Sequence, residues 1–135
     1  MASEKAVQNY IQSFFAKLKQ QGEPIRVERR QAGGYSYQMG VPDLYGTYAG
    51  IHFEIECKQV NGHARVMQEK FEERCKRQWL IEYIRPYTTE EFDEWWNDFY
   101  ERAQNVLQYL VIKQKWNFWK NFLRNCLLLN KDLVQ

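Results

Sequence analysis

The chain has little of what marks several common protein classes. Its three cysteines, Cys57, Cys75 and Cys126, are odd in number and form no Cys-x-x-Cys pair. That argues against a disulfide framework and against a structural zinc site. The two histidines, His52 and His63, stand at no spacing known for histidine-metal or HNH chemistry. No apolar run is long enough to span a bilayer, and no secretory signal precedes the first helical stretch. A reducing cytoplasm is therefore the expected compartment, with no membrane as partner. The net charge is only +2, so the molecule as a whole is not a basic nucleic-acid glue. A length of 135 residues is enough for one domain with a modest core.

What is present concentrates between Gly40 and Gln59, in GVPDLYGTYAGIHFEIECKQ. From Ile51 to Lys58 side chains alternate between two faces of a strand. Ile51, Phe53, Ile55 and Cys57 take one face, and His52, Glu54, Glu56 and Lys58 the other. Carboxylates on a strand at least half buried are costly unless they are paired or bind a metal. A hairpin turning at Ala49-Gly50 brings Asp43 towards Glu56. Two carboxylates converging form a hard oxygen site suited to Mg2+ or Mn2+. Lys58 points to the same side as Glu56, where an ammonium beside a metal can orient a water and steady charge on a phosphate. Cys57 reads as a small hydrophobe under the sheet. Glu54 is expected to pair with Lys58 or a nearby arginine. A Glu-x-Lys on a strand is by itself more often a solvated face, and the surrounding Pro-Asp, hairpin and glutamine-bearing helix raise its weight.

The rest of the chain reads as an α/β domain. A helix is expected from Ser3-Glu4 to about Lys19, with Val7, Tyr10, Ile11, Phe14, Phe15 and Leu18 as its apolar stripe. Strands are expected at Ile25–Arg30, Asp43–Tyr48, Ile51–Gln59 and Trp79–Arg85. A second helix runs from Val66 to Arg77. Thr88 and Glu91 form a capping box opening a third helix with Phe92, Trp95, Trp96, Phe99 and Tyr100. The segment Gln31–Gly40, with Tyr35 and Tyr37, reads either as a surface loop or as a stacking element for an unpaired base. Residues 1–104 form the expected domain and 105–135 a helical extension. That extension has too many apolar residues for one narrow stripe. It must pack on the domain or against another chain.

GVPD followed by IECK, with Gln68 downstream, resembles the PD-(D/E)xK nuclease superfamily, and within it the VRR-NUC group, related to archaeal-type Holliday junction resolvases. The resemblance covers about residues 3 to 95. It implies a restriction-endonuclease-like core, a mixed central sheet flanked by helices. It also implies a Mg2+- or Mn2+-dependent nuclease, its metal held by Asp43, Glu56 and the backbone carbonyl of Cys57. Glu4 would add a contact through water, Lys58 would be the catalytic lysine, and Gln68 would hold Lys58 or the water. Members acting on symmetric junctions are dimers, so a homodimer is expected, and small nucleases of this group are often phage-borne, which would make the compartment the host cytoplasm. Arg29, Arg30, Tyr35, Tyr37, Arg65 and Lys70 are the expected nucleic-acid contacts. DNA is favoured over RNA, and branched, flapped or junction structures over a specific sequence, since no recognition helix or second domain is visible. The alternatives are a non-catalytic binding or inhibitory module on a nuclease fold, and an RNA-directed nuclease.

Overall fold

A computed structural model describes residues 3–30, 40–59 and 65–132, with side chains as far as residue 128. Helix α1 spans Glu4–Gln20, capped by Ser3, whose hydroxyl oxygen accepts from the Ala6 amide at 3.2 Å. Val7, Ile11 and Phe15, four residues apart, form its buried stripe. Strands β1 (Ile25–Arg29), β2 (Leu44–Tyr48) and β3 (Ile51–Ile55) follow as an antiparallel meander, and β4 (Glu82–Ile84) joins β3 in parallel. This is the mixed sheet flanked by helices that the sequence implies.

The β2–β3 turn is tight because Ala49 (φ 49°) and Gly50 (φ 82°) both take left-handed conformations, the pattern of a two-residue hairpin. Ala49 is held there by its amide, which donates to the Pro24 carbonyl at 3.0 Å. The turn fixes the register at Tyr48 opposite Ile51 and Leu44 opposite Ile55. One step further along the same pairing, Asp43 comes opposite Glu56.

One face of the sheet carries the core. Leu44, Tyr48, Phe53, Ile55 and Cys57 pack there against α1 and against Phe92, Trp96, Phe99 and Ala103 of helix α3 (Thr89–Asp132). Phe53 stacks on Phe15 at 5.5 Å between ring centroids and meets Phe99 edge-on at 5.7 Å. The Tyr48 hydroxyl donates to Glu23 and accepts from Gln104, tying α3 to the sheet. The other face carries Glu54 and Glu56, both buried. Helix α2 (Val66–Arg74) serves that face, since Gln68 reaches Glu56 from it. Gly40 (φ 87°) lies so close to α2 that a side chain there would strike the Met67 backbone.

Two expectations are corrected in detail. After α2 the chain widens into a π turn, Cys75–Trp79, and Leu80 turns left-handed. Trp79 thus belongs to the helical segment, and β4 is three residues long rather than seven. Strand β3 ends at Ile55 rather than Gln59. Its main chain still bonds to the chain of β4 and beyond, Glu56 amide to Ile84 carbonyl and Lys58 amide to Pro86 carbonyl. Helix α3 itself runs without a break through residues 104 and 105. Its distal part does not fold back on the domain, because Ile112, Trp116, Phe118, Trp119, Phe122, Leu123, Leu127 and Leu128 are all exposed. Among the described residues no helix is long and apolar enough to cross a membrane.

Candidate functional site

The site is assembled at the end of the hairpin away from its turn. Asp43 closes the approach to β2, and its carbonyl accepts the Arg30 amide at 2.8 Å. Glu56 follows β3 and is 2% exposed. One of its oxygens, Oε1, accepts from Lys58 Nζ at 3.0 Å and from the Gln68 side-chain amide. The other, Oε2, is buried and has no hydrogen-bond partner among the described residues. An anionic oxygen buried without a protein donor is expensive, and a water or a cation at that position would satisfy it. Among the described residues two other buried polar atoms are also unpartnered, Tyr83 Oη and Arg85 Nε, but neither is an anionic oxygen suited to a cation.

The electrostatics agree. Burial raises the Glu56 pKa, the Asp43 charge raises it further, Lys58 opposes both, and Glu4 adds a smaller push upward. The same groups act on Cys57, whose thiol is pushed up to about 12, chiefly by burial, then by Asp43, Glu56 and Glu4. That thiol is a packing group and not a nucleophile. Glu56 and Cys57 therefore both feel the charges of Asp43 and Glu4, with Lys58 as the near cation. Among the described residues, no three His, Cys, Asp or Glu side chains are gathered tightly enough to grip an ion by themselves. A set of two carboxylates, a backbone carbonyl and water still fits a hard cation, since Mg2+ usually keeps several waters. Glu56 Oε2 is the oxygen that such a cation would meet.

Gln68 sits at the third residue of α2. Its carbonyl oxygen accepts the Arg65 amide at 2.9 Å, which leaves its NH2 to aim at Glu56. That fixes the amide's orientation and explains why a glutamine at the start of this helix serves the site. Gln8 also belongs here, although the sequence reading passed over it. Its side-chain amide donates to Asp43 Oδ2 at 3.0 Å. The sequence shows only that Gln8 lies four residues after Glu4 on α1 and so shares its face, while its partner Asp43 is 35 residues away.

The expected nucleic-acid contacts divide. Arg29, Arg65 and Lys70 are exposed. Arg29 also lines an open groove of about 640 Å³ along α1 and the free edge of β1, together with Gln12, Lys19, Arg26 and Leu44. Tyr35 and Tyr37 lie outside the described residues. Arg30 is engaged within the domain instead. Its guanidinium holds Glu54 by two bonds, 2.5 and 2.8 Å, and so Glu54 takes an arginine rather than Lys58 as partner. His52 reaches the same Glu54 at 2.9 Å.

No protein-family model matches the chain, and no curated protein does either. A solved structure described as "VRR_NUC domain" matches with a TM-score of 0.55 at 21% identity, over 69% of this chain and 94% of that one. Nearly the whole of that domain is superposed, so this chain has a VRR-NUC-like nuclease fold, restriction-endonuclease-like in class.

Proposed function

We propose that this chain is a Mg2+- or Mn2+-dependent nuclease that hydrolyses phosphodiester bonds in DNA, with preference for branched, flapped or junction structure. The buried, unpartnered Glu56 oxygen beside Asp43 and Lys58 carries this reading. Asp43, Glu56 and the Cys57 carbonyl would hold the ion, and Glu4 would act through water. When bound, the ion would polarise a phosphoryl oxygen and make water a better nucleophile. Lys58 holds that water and neutralises charge growing on the phosphate. Gln68 and Gln8 keep the two carboxylates in orientation. In the reaction the water oxygen bonds to phosphorus and gives up a proton to solvent, one P–O ester bond breaks, and the leaving oxygen takes a proton from solvent. Exposed Arg29, Arg65 and Lys70 offset the repulsion between a polyanion and the acidic pocket.

The test is cleavage of labelled four-way junction, flap, duplex and single-stranded DNA, and of RNA, with Mg2+, Mn2+ or EDTA. Branched DNA is cut fastest, only with metal, and Asp43→Ala abolishes cutting. Equal cutting with EDTA, or by Asp43→Ala, would refute the reading. Faster cutting of RNA would reassign the substrate.

The same reading includes a homodimer formed through the distal part of α3. At ~100° per residue, the face of Ile112, Trp116, Trp119 and Leu123 lies roughly 160° round the helix from the buried face of Phe92, Trp96, Phe99 and Ala103. The distal apolar face thus looks away from its own domain. Ile112, Trp116, Trp119 and Leu123 are each more than half exposed. At ~150–250 Å² for each aromatic, the two tryptophans with Ile112 and Leu123 reach the size of the largest apolar patch of a typical monomer, ~300–600 Å². A second copy covers this face and sets two sites on two strands. Light scattering on the full chain should give twice the mass of one chain, and Leu123→Glu should halve it. A wild-type mass of one chain removes the dimer.

A further inference from the structure

The peptide groups on either side of Asp43 are both held by one residue. Arg30 donates its backbone amide to the Asp43 carbonyl at 2.8 Å. Its side-chain Nη1 donates to the Pro42 carbonyl at 3.0 Å. Those carbonyls flank the Asp43 α-carbon, so gripping both restrains the two backbone dihedrals that aim its carboxylate. The guanidinium is in turn fixed by two parallel bonds to Glu54, a carboxylate 3% exposed, and lies 4.3 Å from the centre of the Tyr45 ring. Glu54 stands two positions before Glu56, on the same face of the same chain segment. The two putting-together points of the site are thereby linked: Arg30 holds Asp43, Glu54 holds Arg30, and Glu54 shares its backbone run with Glu56.

We infer that Arg30 and Glu54 are positioning residues that set the separation of Asp43 and Glu56 for a divalent cation, and that Arg30 is not a contact for nucleic acid. The inference rests on the metal-site reading above. A flexible ammonium carries the same charge as a guanidinium but has no fork to hold two Glu54 oxygens and the Pro42 carbonyl together. Outer groups of this kind typically change metal affinity ~10–100-fold when replaced.

The experiment is Mn2+ titration by calorimetry on the full chain, comparing wild type, Arg30→Lys and Glu54→Gln. Thermal midpoints and cleavage kinetics are measured on the same samples. Tyr48→Phe serves as a control that loosens the sheet far from Arg30, by removing the bonds to Glu23 and Gln104. Arg30→Lys and Glu54→Gln should weaken Mn2+ binding by ~10–100-fold, with cleavage recovering in excess Mn2+ and KM for DNA unchanged. Tyr48→Phe should bind Mn2+ as wild type does even where its midpoint falls. Mn2+ affinity within twofold of wild type in both variants, or a raised KM for DNA with Mn2+ binding intact, overturns the inference and leaves the nuclease reading standing. An equal loss of Mn2+ affinity in Tyr48→Phe also overturns it, by making the effect one of general loosening. No Mn2+ binding by wild type overturns the metal-site reading and this inference with it. Should Arg30→Lys not fold, the near-isosteric Glu54→Gln reads the same quantity.

Discussion

Glu56→Gln leaves a folded protein that no longer cuts, with activity down by at least ~10²–10³-fold. Glutamine keeps the volume of the buried side chain, and its carbonyl can still accept from Lys58 and Gln68. It cannot supply an anionic oxygen at the position of the unpartnered Oε2. The stability effect has the opposite sign to the activity effect. Burial, then Asp43, raise the Glu56 pKa in the fold. A carboxyl raised in this way contributes stability fully below its unfolded pKa, and loses that contribution as pH rises through the folded value. Without metal, part of the wild-type stability should therefore drain away from the ordinary carboxylate range upward. Glu56→Gln should flatten that part of the profile. In EDTA at pH 8 its thermal midpoint should equal or exceed the wild-type one. A midpoint well below wild type, or a retained cleavage rate, contradicts the assignment.

Lys58→Ala separates chemistry from metal binding. The ammonium is mostly buried and 3.0 Å from Glu56 Oε1, so it does not act as a free surface charge. Its loss should lower the single-turnover cleavage rate by ~10²–10³-fold, the scale for removing one preorganised charge or donor from a developing anion. Divalent-ion binding should persist, because Asp43, Glu56 and the Cys57 carbonyl are untouched. The pH dependence of binding should move upward, since Lys58 is what holds the Glu56 pKa down against burial and Asp43. A cleavage rate near wild type removes Lys58 from the mechanism. Loss of both binding and cleavage would make it a structural counter-ion only.

The pairing of Asp43 with Glu56 was legible in the sequence because local rules set it. A two-residue turn at Ala49-Gly50 fixes the register, and period-2 alternation puts Glu54, Glu56 and Lys58 on one face. Helix α1 and the buried face of α3 were legible from helical spacing, and Cys57 as a core group from strand alternation. What the sequence did not disclose depends on non-local geometry. Gln8 serves Asp43 across 35 residues of chain, and Arg30 is captured by Glu54 across 24. The π turn at Cys75–Trp79 has no compositional mark, so β4 was drawn too long. The distal part of α3 was visible as too apolar, but its turning away from the core follows from the continuity of the helix through residues 104 and 105.

The central claim is a divalent-cation site formed by Asp43 and Glu56, and calorimetric titration of wild type and Glu56→Gln with Mn2+ tests it most directly. The account predicts one ion bound per chain by wild type and none by Glu56→Gln at the same concentrations. An absence of binding heat in wild type, or equal binding by the two proteins, would contradict it.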